Sequence, residues 1–275
     1  ARVKSLLARV SEKKPVSSLS NGDGQGYVIG VLAPRGGLGV TTLAVNLAAG
    51  LHNKTKSEVI AAEMLPGQGT MALDMGVVAS KGLVDLLSIT KPADLTNAKV
   101  RDSLTPHGSG IKLLLASDRP RDMHLIGQVA NYETTLALLA GLARFVVLDL
   151  GVGMQPFAQK VLPLCNEVLV ILEGAPNTII HTKALIDDIA SLGVNKKSIN
   201  VVLTNRIRSD TQLPSSQVQT KLDYEIVSTL TPAPELFVQA TRMQTPAILC
   251  QPDSLTARQV NKLVDFITEH EALPR

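Results

Sequence analysis

A glycine-rich stretch that joins an apolar run to a helical pattern is the feature that most constrains the fold of this chain. Residues 27–33 are mainly apolar, and residues 34–39 contain three glycines. Apolar residues then recur at helical spacing from Thr41 to Leu51. Because glycine permits backbone conformations that other residues avoid, it suits a tight loop between a strand and a helix. The stretch therefore predicts an α/β fold whose first strand ends in this loop.

Strand and helix patterns alternate through the rest of the chain. Further apolar runs predict strands at 58–62, 111–116, 145–150, 167–172, 200–204 and 225–228. Helical patterns separate and follow them, at 81–88, 132–142, 155–164, 177–192, 215–222, 234–242 and 256–269. Strands separated by helices of this length predict a doubly wound, mostly parallel sheet with helices on both faces. Aromatic residues make up only 3% of the chain, so its core must be built from aliphatic side chains, as in buried parallel sheets.

Residues 1–26 do not follow this alternation. The first fourteen residues carry five basic side chains against Glu12 alone, although the whole chain has a net charge of only +3. The remainder is thus nearly neutral, and we expect no sequence-specific nucleic-acid partner. Residues 15–26 are rich in Ser, Gly, Asn and Asp, which predicts a flexible linker. We therefore predict a basic arm and linker over 1–26 and an α/β domain over 27–275.

Cysteine use and hydropathy both indicate a cytoplasmic protein. Cys165 and Cys250 lie far apart in apolar surroundings, which predicts free thiols in a reducing compartment. The sequence contains no apolar run of the roughly 20 residues that a membrane helix needs. It also shows no signal-peptide pattern.

The glycine-rich loop has the features of an anion site. Its glycines would turn successive backbone N–H groups inward, and the positive N-terminus of the following helix would add to them. Thr41 stands where a P-loop hydroxyl holds Mg²⁺, but the consensus G-x-x-x-x-G-K-[ST] requires a lysine where this chain has Val40. The motif alone leaves two interpretations, a phosphate-binding loop with reduced charge or a plain strand-to-helix turn.

The stretch Arg35–Thr42 resembles the deviant P-loop of the ParA/MinD family, K-G-G-x-G-K-T-T. Arg35 takes the position of the lysine that in this family reaches across a dimer to the partner's nucleotide. The resemblance implies a P-loop NTPase-like fold, a homodimer, and ATP and Mg²⁺ as cofactors. It assigns nucleotide contacts to Gly36, Gly37, Gly39, Val40, Thr41 and Thr42.

The resemblance continues downstream over nearly all of the domain. Glu63 and Leu65 take the two acid positions of the D-x-D that ends the family's second strand, the second of which positions the attacking water. Asp149 ends a strand that resembles Walker B. The resemblance implies that Thr41 and Asp149 hold Mg²⁺, and that Arg35 and Asp149 have catalytic roles.

Two further segments resemble the parts of the family's site that bind the nucleotide base. Asn205 and Arg206 follow a strand whose asparagine reads adenine in the family, and the segment 231–249 resembles its base-side loop and helix. From the residues alone, Asp149 is also compatible with a strand-end cap, and Asn205 with a turn.

Three weaker segments, at 63–73, 110–120 and 244–256, are similar to the CpaE/TadZ branch of pilus-assembly localisation proteins. Members of this branch often carry a receiver-like domain first, so the resemblance implies that 1–26 follows a removed N-terminal domain. It also implies a pilus or secretion motor or its assembly proteins as partners, at a cell pole or membrane-bound assembly. Any peripheral membrane association would be through those partners.

Val40, Leu65 and, more mildly, Glu63 depart from the family pattern, which removes the loop cation and the carboxylate nearest the water. A charge-assisted hydrogen bond contributes roughly 1.5–3 kcal/mol, and a group that stabilises transition-state charge contributes about 10²–10³ in rate. We therefore expect a localisation scaffold that is a pseudo-ATPase or a very slow ATPase. The alternative is an active ATPase in DNA partitioning or division-site placement, which would need the missing lysine.

Overall fold

Eight strands form one sheet in the computed structural model, which describes residues 25–78, 80–205 and 212–273. Their order across the sheet is β3-β4-β2-β5-β1-β6-β7-β8. The strands are β1 (Tyr27–Ala33), β2 (Val59–Glu63), β3 (Leu104–Pro106), β4 (Lys112–Leu114), β5 (Phe145–Val152), β6 (Glu167–Leu172), β7 (Ile199–Thr204) and β8 (Ile226–Leu230).

Helices connect most of these strands. In chain order they are α1 (Val40–Thr55), α2 (Met71–Asp74), α3 (Leu83–Leu87), α4 (Asn97–Asp102), α5 (Val129–Ala140), α6 (Ala158–Val161), α7 (Pro176–Ser191), α8 (Ser215–Leu222), α9 (Pro234–Arg242), α10 (Ala247–Cys250) and α11 (Leu255–Ala272). None of the described helices combines the length and apolarity that a bilayer crossing requires.

The predicted doubly wound, mostly parallel sheet is confirmed. Every described strand pair is parallel except β3 with β4 at one edge. The central strand β1 pairs with β5 on one side and β6 on the other. Ligands of such sheets bind outside the carboxyl ends of the strands where the winding reverses, so the end of β1 is the expected site.

The core has two layers, one on each face of the sheet. Alternate residues of β1 point to opposite layers: Ile29 and Val31 pack in the layer that contains α1 and α11, whereas Val28 and Leu32 pack in the layer of α5, α7 and α8. All seven residues of β1 are buried. Burial on both faces explains why this strand reads as a continuous apolar run instead of an alternating one.

Several predicted elements are shorter than expected. The predicted helix over 155–164 is only the single turn α6, followed by a 3-10 turn at Leu162–Leu164. Pro163 accounts for the end of α6 at Val161, because proline lacks the N–H that a continuing helix needs and its ring clashes with the preceding turn. The strand over 111–116 shrinks to β4, and the helix over 81–88 shrinks to α3. The edge strand β3 was not predicted.

The basic arm and linker lie almost entirely outside the described residues, which begin at residue 25. The division of the chain at residue 26 therefore stays a prediction. Gly26 already belongs to the folded part, since its N–H donates to the carbonyl of Ala140 at 2.7 Å. A Cβ at Gly26 would lie 2.0 Å from the carbonyl oxygen of Ala143, so this close approach requires glycine.

Candidate functional site

The glycine-rich loop lies at the carboxyl end of β1, between Ala33 and the start of α1 at Val40. Gly37 and Gly39 have φ values of 76° and 90°, in the left-handed region that favours glycine. Gly39 is the N-cap residue of α1, and no side chain caps this end. The first N–H groups of a helix have no partner within it, and together with the helix dipole they form a site for an anion.

Thr41 and Asp149, the two predicted metal residues, lie in contact. The Thr41 hydroxyl donates to Asp149 Oδ2 at 2.5 Å, and Asp149 Oδ1 accepts from the Gly151 N–H at 3.0 Å. Burial raises the pKa of Asp149, and these two hydrogen bonds oppose that rise. A hydroxyl beside a carboxylate supplies the oxygen ligands that Mg²⁺ prefers.

A cavity of about 420 Å³, which we call the Thr41 cavity, opens on this side of the loop. The loop contributes to it the predicted phosphate contacts, Gly36, Gly37, Gly39, Val40, Thr41 and Thr42. Asp149, Glu63 and Asp74 add carboxyl groups, and Leu65 adds an apolar wall. All but one of the predicted loop and metal residues thus meet at this cavity, the exception being Arg35.

Glu63 lines the Thr41 cavity, but its carboxyl is bound to backbone N–H groups of its own chain. Its Oε1 accepts from the N–H groups of Thr70 and Met71, both at 2.8 Å, and its Oε2 accepts from the Ala116 N–H at 3.0 Å. Burial outweighs these three bonds and raises the pKa of Glu63 to about 7. The carboxyl thus ties two loops to the end of β2.

Leu65 takes the position of the second acid of the D-x-D pattern, and it packs against Gly151. A Cβ at Gly151 would lie 1.9 Å from Leu65 Cδ1, so a larger residue at position 151 would displace the Leu65 side chain. This apolar wall stands next to Asp149 and offers no oxygen to orient a water molecule.

A second cavity of about 270 Å³, which we call the Asn205 cavity, lies on the other side of the loop and shares Gly37, Gly39 and Thr42 with the first. Asn205 lines it, and the Asn205 N–H donates to the Leu230 carbonyl at 2.8 Å, which joins the ends of β7 and β8. Arg206 lies outside the described residues.

The wall opposite the loop is formed by residues of the segment 231–249, which was predicted to lie next to the nucleotide base. Thr231, Pro232 and Phe237 line the Asn205 cavity, and Gln259 holds Thr231 by accepting from its N–H at 3.0 Å. Neither Phe237 nor Gln259 was predicted as a site residue. A phenylalanine in the first turns of a helix that follows a proline-rich loop was the available signal.

Arg35 points away from both cavities. Its guanidinium forms an ion pair with Glu173, and its Nε donates to Thr178 Oγ1 at 3.2 Å. Glu173 follows β6, and Thr178 lies in the first turn of α7, so this arginine binds the neighbouring strand-to-helix connection of its own chain. Glu173 and Thr178 were not predicted, because no local pattern relates them to residue 35.

No protein-family model and no curated protein matches the chain. Solved structures do match it. The septum site-determining protein MinD of Pyrococcus horikoshii, in complex with Mg-ADP, has a TM-score of 0.77 at 18% identity and covers 90% of this chain and 98% of its own. A ParA-family ATPase from Chlorobium tepidum has a TM-score of 0.77 at 15% identity, with 88% and 98% covered.

A third match is the MinC:MinD cell division protein complex of Aquifex aeolicus, with a TM-score of 0.73 at 18% identity and 91% and 98% of the two chains covered. At such identities the likeness concerns the fold, and it extends over nearly the whole length of each neighbour. The eight-stranded, mostly parallel sheet with helices around it is therefore the P-loop NTPase fold of the MinD and ParA proteins.

Proposed function

We propose that this chain is a nucleotide-binding localisation scaffold of the CpaE/TadZ kind, which hydrolyses little or no ATP. One observation carries the proposal: the glycine loop and the Thr41–Asp149 pair line one cavity, in which Val40 and Leu65 stand where a P-loop cation and a water-positioning acid are expected. The fold is shared with a protein named for determining the septum site, and a positioning role is compatible with it.

The residues present fit a nucleotide with Mg²⁺. The uncapped N-terminus of α1 and the backbone of Gly36–Gly39 would hold phosphate oxygens, and Thr41 and Asp149 would hold the metal. The Asn205 cavity is mostly apolar, with the side chains of Asn205 and Thr231 at its edge. A flat base suits such a pocket, because a few polar groups set its orientation and apolar walls exclude water.

Two other residues of the Thr41 cavity, Val40 and Leu65, argue against ATP hydrolysis. In a P-loop the lysine reaches the terminal phosphates, and here Val40 is buried at the first position of α1. Removing one preorganised donor from a site that stabilises developing charge costs about 10²–10³ in rate. Leu65 in place of a carboxylate removes a second group, and hydrolysis should then be negligible.

An active ATPase for DNA partitioning or division-site placement is the second candidate. The pairing of Thr41 with Asp149 is compatible with both candidates, but an active ATPase would also need the loop lysine that Val40 replaces. The nearly neutral body of the chain argues against a broad DNA-binding surface.

Partners and place in the cell follow from the favoured candidate. We expect a homodimer in the cytoplasm that gathers pilus or secretion assembly proteins at a pole or at a membrane-bound assembly. It would have no sequence-specific nucleic-acid partner, and it would reach the membrane only through those proteins.

Steady-state ATP hydrolysis separates the two candidates. We expect the parent chain to bind nucleotide in a titration and to turn over no faster than its Asp149→Ala variant. Val40→Lys restores the missing cation and should strengthen ATP binding by about 10-fold or more if the pocket accepts it. Turnover of the parent at the rate of an ordinary P-loop ATPase, abolished by Asp149→Ala, would establish the second candidate and refute the first.

A further inference from the structure

The described residues of the Thr41 cavity provide carboxylates but no basic side chain. Glu63, Asp74 and Asp149 line it, and neither lysine nor arginine is among the described residues that do. Thr41 and Asp149 would hold a Mg²⁺ bound with either nucleotide. The additional charge of a γ-phosphate would therefore meet no basic side chain of the described lining where a P-loop offers a lysine.

Part of the wall beyond the glycine loop is apolar, and Gln68 and Thr70 add uncharged polar groups to the cavity. Val40, Met64 and Leu65 line the apolar part of the cavity, and Leu65 lies against Gly151. These side chains have no hydrogen-bond donor to offer to phosphate oxygens. The backbone donors of the loop and of the start of α1 are confined to residues 36–42, where the phosphates nearer the sugar would lie.

Arg35 could serve a γ-phosphate only after leaving its present partners. Its guanidinium is paired with Glu173, which is itself largely buried, and its Nε is bound to Thr178. The ion pair has no net charge, and Glu173 would be left without this partner if Arg35 moved. An arginine bound in this way contributes little to the difference between two nucleotides.

We propose that this site binds nucleoside diphosphates and triphosphates with nearly equal affinity, because the described residues that line its cavity provide no cationic side chain for the γ-phosphate. The inference rests on the proposed nucleotide binding and adds how that site is regulated. A ligand shifts a conformational equilibrium only by its differential affinity for the two states. Exchange of a triphosphate for a diphosphate would then not switch this protein, and its assembly would follow protein concentration and partners instead.

Calorimetric titration tests the proposal with ADP and with a non-hydrolysable ATP analogue, each with saturating Mg²⁺. For the parent chain we expect the two dissociation constants to agree within about threefold. In Val40→Lys the analogue should bind more tightly than ADP by about 10-fold or more, because the lysine reaches the terminal phosphates. Val40→Met adds length without charge, and it should leave the ratio as in the parent.

The outcomes distinguish the inference from the proposed function. If the parent binds the analogue at least about 10-fold more tightly than ADP, the inference is wrong and nucleotide binding stands. If the parent binds neither nucleotide at millimolar concentration, nucleotide binding itself is refuted and the inference falls with it. The parent measurement decides between these results even if Val40→Lys does not fold.

Discussion

Glu63 shows how one buried side chain can make the stability of the molecule depend on pH. Its carboxyl accepts three backbone N–H bonds from two loops, and burial still raises its pKa to about 7 from 4.5. The folded state therefore holds this proton more tightly than the unfolded state does. Its stabilising contribution is complete below about pH 4.5 and is lost as the pH rises through about 7. Burial also raises the pKa values of Asp149 and Glu167, which act in the same direction.

We predict that the free energy of unfolding falls by roughly 1–3 kcal/mol between pH 5 and pH 8. Urea unfolding at several pH values would measure it. Glu63→Gln should be less stable at every pH, because its amide N–H₂ would face the Ala116 N–H, but its pH dependence should be flatter. Glu269→Gln changes an exposed carboxyl and should leave the slope unaltered. A parent whose stability rises over this range would show that the proton is not held by the folded state.

Residue roles were predictable where the motif is local and were missed where partners are distant. Thr41 and Asp149 were matched to motif positions, and the structure places them in contact. Glu63 was matched to the first acid of the D-x-D, but no periodicity reveals that its carboxyl accepts from the N–H groups of Thr70, Met71 and Ala116. The contact of Arg35 with Glu173 spans 138 positions and could not be read from the sequence.

At the level of elements, α11 is fixed to the sheet by a buried polar cluster at the end opposite the loop. His270 on α11 bonds to Glu167 Oε1 at 2.7 Å, and Tyr27 and Asn200 donate to the same carboxyl. Glu167 is the first residue of β6, so this cluster lies at the amino end of the strands, whereas the glycine loop lies at their carboxyl end. The helix was predicted from its apolar stripe, but this polar anchor was not.

We predict that His270→Ala lowers the free energy of unfolding by about 1–3 kcal/mol, because it leaves a buried carboxyl with one donor fewer. Glu269→Ala, next to it on the exposed face, should change that value by less than about 0.5 kcal/mol. Nucleotide affinity should be the same in both variants, since the site is at the other end of the sheet. Equal stability of the two variants in denaturant would refute the anchor.

Long buried elements were predictable, and short ones were not. The strands β1, β5 and β6 are buried on both faces and therefore appear in the sequence as continuous apolar runs. The edge strand β3 has three residues, one of them exposed, and its pairing with β4 depends on tertiary contact. The same holds for α2 and α10, each a single turn.

At the scale of the whole molecule, we propose a symmetric dimer in which the Arg35 loops face each other. An arginine forks two hydrogen bonds to a phosphate or carboxylate, which suits a contact across an interface. Within one chain the Arg35 guanidinium already binds Glu173. In the dimer, either this ion pair stays intact and contacts the other chain, or Arg35 of each chain binds Glu173 of the other. The two arrangements both require Arg35 at the interface.

We predict that Arg35→Ala shifts sedimentation toward monomer and that added ATP does not restore the dimer. Lys183→Ala removes an exposed cation from α7 and serves as the matched comparison, with sedimentation like that of the parent. If Arg35→Ala sediments as the parent does at every protein and nucleotide concentration, the facing-loop dimer loses its basis.

A crystal structure of the parent chain grown with Mg²⁺ and ATP tests the central claim most directly, because one map reports both binding and turnover. We predict an intact triphosphate along Gly36–Gly39, with the metal at Thr41 and Asp149 and the base in the Asn205 cavity. An ADP molecule in that place after growth from ATP, or a loop that binds no nucleotide at saturating concentration, would contradict the account.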